Sequence, residues 1–162
     1  MPGVEVDSNV GAYKAALRVA KRKALESVGQ QWRDDAKEQD TFRHWGDDLG
    51  LELQASIDYV VDMDKSTVSV GSNMEIAAYA ELGTGKEYKP PADYIENMVP
   101  KGIVVPAGID HWIFFDPIAK EFRVGAPQPA RPYLQKAYDE NHDRYEAIIK
   151  GELSDVDINT NG

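Results

Sequence analysis

One stripe constrains this chain more than any other feature. Val10, Tyr13, Leu17, Ala20, Ala24, Val28 and Trp32 recur at spacings of three and four, which puts their side chains on one face of an α-helix. The spacing predicts a single helix from about Ser8 to about Lys37, with Asp7 or Ser8 as its N-cap. At 1.5 Å per residue it is about 45 Å long. That is more than one domain of 162 residues needs to cover its own core, so part of the helix is expected to pack on another chain.

Downstream, glycines at 46 and 50 interrupt the pattern, and a second, shorter helix is expected over Asp47–Ala55. "SIDYVVDM" and "STVSVGS" are β-rich and flank the polar turn Asp64-Lys65, which predicts a hairpin with strands near 57–63 and 66–71. Ala-rich Glu75–Leu82 reads as a short helix closed by Gly83 in a left-handed backbone conformation. Residues 86–110 carry four prolines and read as a long loop with at most one helical turn near Tyr94. "HWIFFD" and "KEFRVG" form a second hairpin around the turn Pro117-Ile118-Ala119, and a last helix is expected over about Pro132–Lys150. The order predicts an α+β fold. A small antiparallel sheet of two hairpins packs with a long N-terminal helix, a short middle helix and a C-terminal helix. A single domain spans 1–151 with the inserted loop 86–110, and 152–162 form a polar tail.

Charge and composition narrow the function. Residues 1–40 hold 7 Lys/Arg and 7 Asp/Glu, whereas residues 41–162 hold 11 and 21, so the net charge of −10 arises entirely after residue 40. Such a surface repels duplex DNA, whose protein affinity comes from cationic contacts to phosphate. Lys14, Arg18, Lys21, Arg22 and Lys23 form the one basic cluster, read as a solvated helix face. No secretory signal and no membrane-spanning apolar run is expected. The absence of cysteine excludes disulfides, thiolate metal sites and cysteine nucleophiles, and fits a reducing compartment.

Chemical motifs are few. Gly83-Thr84-Gly85-Lys86 resembles the end of a phosphate-binding loop, but Ala80 stands where its first glycine belongs and Glu87 where Ser or Thr would hold magnesium. The residues before it suit a helix rather than the required strand, so no nucleotide site and no cofactor is expected. His44, His111 and His142 have no metal-ligand spacing. No catalytic residue is assigned.

Three segments in order carry a resemblance. Leu53 with Ser56-Ile57, then Tyr79, Glu81, Leu82, Gly83 and Thr84, then Arg131, Pro132, Tyr133 and Leu134 with Ala137 are similar to the tail-component proteins of tailed bacteriophages, also called neck or tail-completion proteins. Gly50-Leu51 stands where that family has Thr-Gly, so the turn there differs. The resemblance implies a structural virion protein rather than an enzyme. It implies a head–tail connector assembled in the host bacterial cytoplasm as a homo-oligomeric ring, a hexamer or dodecamer, beside other phage neck and tail proteins. Double-stranded DNA would pass through transiently without specific binding, and no membrane is involved. Two alternatives stand beside it: a small soluble enzyme with a carboxylate site under the 86–110 loop, and a phage-encoded host-interaction module.

Overall fold

The computed structural model of the protein describes residues 10–88, 90, 105–116, 119–154 and 156, without the side chains of residues 44, 45 and 47. The expected N-cap at Asp7 or Ser8, most of the 86–110 loop, the Pro117-Ile118 part of the second turn and the end of the polar tail lie outside the described residues. The architecture is α+β. Helix α1 (Val10–Lys37) leads through a 3-10 turn (Asp40–Trp45) into α2 (Asp47–Ser56). Strands β1 (Asp58–Asp62) and β2 (Thr67–Gly71) precede α3 (Glu75–Leu82), and β3 (Trp112–Asp116) and β4 (Glu121–Gly125) precede α4 (Leu134–Ser154).

The apolar stripe of α1 is used in its second half. Ala24, Val28 and Ala36 are buried, and the helix presses onto the first hairpin at Gly29. A Cβ there would lie 2.5 Å from Tyr59 Cδ2 and 2.7 Å from Val68 Cγ2, closer than any side chain tolerates, so the contact requires glycine. In the hairpin Tyr59 pairs with Val70 and Val61 with Val68. Opposed residues share a face, so these four point together toward α1. Asp62 Oδ1 accepts the N–H groups of Asp64 and Lys65 at 3.0 Å, which fixes the turn between the strands.

Helix α4 runs antiparallel beside α1, its start near Trp32 and its end near Lys23. Trp32 Nε1 donates to the Leu134 carbonyl at 3.1 Å. Asp35 takes both the Arg144 guanidinium and the Tyr145 hydroxyl, and Lys23 pairs with Glu152 at 2.8 Å. Between them Trp32 lies tilted against Tyr138, ring centroids 5.4 Å apart. Leu53 and Ile57 from α2, Phe42 from the 3-10 turn, Val70, Ala80, Tyr133 and Ala137 close one core.

Two sequence expectations change. The hairpins do not join in one sheet: β1–β2 and β3–β4 are separate two-stranded antiparallel sheets. The last helix begins at Leu134 rather than Pro132 and runs to Ser154 rather than Lys150. Its start is set by a clasp described below, and the Lys23–Glu152 pair holds its last turn on α1. Residues 152–154 are therefore helix, not tail.

Candidate assembly interface

The second and third sequence motifs, about 50 residues apart, meet in space and interlock. Glu81, buried near the end of α3, aims its carboxylate at the start of α4. Oε2 accepts the N–H of Tyr133 at 2.8 Å and of Leu134 at 3.0 Å, and Oε1 that of Gln135 at 2.9 Å. The first N–H groups of a helix have no partner within it, and the helix dipole favours an anion there. Glu81 supplies both needs from a distant element. Pro132 sets the approach, and helix begins where the carboxylate captures the backbone.

The neighbouring motif residues complete the clasp. The Arg131 N–H donates to the Ala80 carbonyl at 2.8 Å, and the Thr84 N–H to the Gln128 carbonyl at 2.9 Å. Thr84 Oγ1 in turn accepts the Gln128 N–H at 3.0 Å, and Thr41 Oγ1 donates to the Arg131 carbonyl at 3.1 Å. Gly83 closes α3 with φ 73° and ψ 179°. The positive φ is as expected, but the extended ψ belongs to the region only glycine enters, not to the left-handed helical one. A Cβ on Gly83 would meet Ala130 N and Glu87 O at 2.8 Å, so the chain passes too close for any other residue. Leu82 and Thr84 are both buried beside it.

The first motif lies in the same core. Leu53 and Ile57 are fully buried, and Ser56 Oγ donates to the Leu53 carbonyl at 2.7 Å while sharing a 2.6 Å hydrogen bond with Ser72. Tyr133 stacks tilted on Phe42, centroids 5.3 Å apart, and Leu134 and Ala137 are buried behind it. Tyr79 is different: its hydroxyl donates to Glu75 on the outer side of α3. Burial and the Glu75 carboxylate push its phenol above the ordinary value. Apart from Tyr79, the motif residues serve packing and backbone capture.

Ionisable groups inside this body are held in structure. Burial raises the Asp35 carboxyl, but hydrogen bonds from Arg144, Tyr145 and Gln31 outweigh it and hold the group below the usual carboxylate range. Burial first, and then Asp35, pushes the Tyr145 phenol up. Burial, with Glu81 nearby, does the same to Tyr133, whose hydroxyl has no hydrogen-bond partner among the described residues. A groove of about 620 Å³ beside β2 and α3 includes Glu81 in its wall, but that carboxylate is taken up by the backbone of α4. Among the described residues no three His, Asp or Glu side chains are placed to hold a metal ion, and no helix is long and apolar enough to cross a membrane.

The surface is where side chains remain uncommitted. In β3–β4, Ile113 opposes Val124 and Phe115 opposes Phe122, so the four share one face. That face is open: they are 73%, 70%, 52% and 76% exposed. The opposite face carries Trp112, Phe114 and the pair Arg123–Asp116 at 3.1 Å. A second patch is the start of α1, where Val10, Tyr13 and Leu17 are exposed on one face and Val19 on the opposite one. Together these two elements hold most of the exposed large hydrophobic side chains among the described residues, and no periodicity in the sequence marks the hairpin face as uncovered.

No curated protein and no solved structure matches the chain. The sequence profile of the family described as "Bacteriophage HK97-gp10, putative tail-component" matches residues 5–83. That segment contains α1, α2, the first hairpin and α3, with the first motif and the second as far as Gly83; Thr84 and the third motif lie beyond it. Over residues 5–83 the chain is similar to the tail-component family of tailed bacteriophages.

Proposed function

We propose that the protein is a structural component of the phage neck, acting in tail completion or head–tail connection as a homo-oligomeric ring through which double-stranded DNA passes, and that it is not an enzyme. The observation that carries this reading is the contrast between a clasped interior and two open apolar patches. A folded monomer has no use for the exposed large hydrophobic side chains of the β3–β4 face and of Val10, Tyr13 and Leu17 on α1, and contiguous exposed apolar surface marks contact with other chains. Similarity to a phage tail-component family over residues 5–83 supports the setting, a virion with neighbouring tail proteins. The excess of carboxylates after residue 40 supports passage of DNA without adhesion, since cationic contacts are what create affinity for phosphate.

Two measurements test it. Sedimentation and negative-stain imaging of the purified chain, alone and with its virion neighbours, should show a closed oligomer; a stable monomer with catalytic turnover overturns the reading. At physiological salt the protein should show no measurable binding to duplex DNA. Tight, salt-sensitive binding would instead make the Lys14–Lys23 cluster a true DNA contact.

A further inference from the structure

We infer that copies of this chain join head to tail, the first turns of α1 from one copy lying on the open β3–β4 face of the next. The inference rests on the ring reading above and names the surfaces that would build it.

The fold already contains the arrangement once. The second half of α1 lays its stripe across a two-stranded hairpin of five-residue strands, with Gly29 against Tyr59 and Val68. Strands β3 and β4 are also five residues each, and among the described residues no helix lies over their apolar face. The first half of α1 continues the same stripe through Val10, Tyr13 and Leu17, and residues 10–19 are all exposed. One unused length of stripe and one uncovered hairpin therefore occur in the same chain. Their sizes agree: Val10 to Leu17 rises about 10 Å along the helix. The hairpin face measures roughly 7 Å along its strands, plus side-chain width. Neither element is favoured alone, since short helices and lone hairpins are marginal in water.

Charge chooses the occupant. Residues 10–23 hold Lys14, Arg18, Lys21, Arg22 and Lys23 and no carboxylate, while residues 41–162 carry the whole net charge of −10. Two copies meeting through α1 against α1 would bring like charges together. A helix start meeting the body of another copy brings cation to anion. The contact joins different surfaces of identical chains, so it repeats in one rotational sense and closes a ring when the rotation divides a full turn.

The chain has no cysteine, which permits a direct test. Leu17→Cys and Phe122→Cys both alter exposed positions, and the two full-length variants are mixed and treated with a short bis-maleimide. The mixture should give mixed dimers several-fold above the like-with-like dimers of either variant alone, and the double variant a ladder of higher oligomers. Reversing Lys14, Arg18 and Lys21 to Glu should lower the mixed-dimer yield several-fold at low salt. Oligomers by sedimentation without mixed dimers overturn this pairing but leave the ring standing. A chain that stays monomeric and uncrosslinked overturns both. Predominant Leu17→Cys homodimers would mean a two-fold contact through α1 and overturn the head-to-tail order. A Phe122→Cys thiol that resists maleimide in the monomer would mean the face is covered by its own chain, for example by residues 91–104, and overturns it as well.

Discussion

The two hairpins are built alike and used oppositely. Each has two five-residue antiparallel strands and one face lined by four large side chains. In β1–β2 that face (Tyr59, Val61, Val68 and Val70) lies under α1, and the solvent face carries Asp58, Ser69 and Thr67, with Val60 its one exposed large apolar side chain. In β3–β4 the corresponding face is in the open and the partly covered side is the mixed one. Strand alternation fixes which residues share a face. It does not say which face finds a partner. That depends on what the rest of the chain, or another chain, brings to it.

Substitution should separate the two most sharply. Val70→Asp puts an unpaired carboxylate under α1 and should cost more than about 4 kcal/mol, enough to unfold the chain. Phe122→Asp should change the stability of the isolated chain by no more than about 0.5 kcal/mol. Chemical denaturation of both decides; a strongly destabilised Phe122→Asp would mean that β3–β4 is covered after all.

Glu81→Ala removes the clasp that positions α4 beside α1. It orphans buried N–H donors at ~1–3 kcal/mol each, so a loss of about 3 kcal/mol is expected. Hydrogen exchange should accelerate at the start of α4 and, through the loosened helix pair, at β1–β2 more than at β3–β4. Equal acceleration in both hairpins would erase the distinction between them.

A smaller effect comes from Asp35, which pins α1 to α4 and so holds the cover over the first hairpin. Its carboxyl is depressed in the folded protein, so its stabilisation is present above the unfolded value of about 4 and lost as pH falls through the lower folded one. Asp35→Asn should cost about 2 kcal/mol at pH 7, modest because Arg144 is half exposed. The gap from the parent should close below about pH 4. A gap independent of pH would show that the packing of Asp35, not its charge, is what matters.

Tyr133→Phe should have the smallest effect and the opposite sign. The Tyr133 hydroxyl is buried without a hydrogen-bond partner among the described residues, so its removal should leave stability unchanged or raise it by about 1 kcal/mol. A loss instead would reveal a hydrogen bond made to that hydroxyl.

The sequence made the helices legible because periodicity is local. Residues 10–37 declare α1 through their stripe, and Glu75–Leu82 with Gly83 declare α3 and its end. The motif segments pointed to Tyr133, Leu134, Leu53 and Ile57, all of which are buried. What stayed hidden was long-range pairing. Glu81 looks like any surface glutamate on a short helix, and its partners are 52 to 54 residues away, with no spacing rule to connect them. The start of α4 was misplaced for that reason, since its cap comes from another element. The separation of the hairpins into two sheets was equally invisible, because both strand pairs satisfy their backbone hydrogen bonds locally.

The α1–α4 pairing has a consequence for the order in which the molecule can form. Its contacts join residues 102 or more positions apart, among them Trp32 to Leu134 and Asp35 to Tyr145. Such contacts require closure of a very long loop before they return any stabilisation, which slows folding. On the ribosome, at about 5–20 residues per second, the stripe of α1 waits several seconds for α4 to emerge. During that interval the side of α1 that faces α4 offers Trp32 and its neighbours with nothing yet made to cover them. Newly made chains are then most able to pair wrongly with one another, and Trp32, moving from water to the side of Tyr138, offers a fluorescence signal for the moment the interval ends.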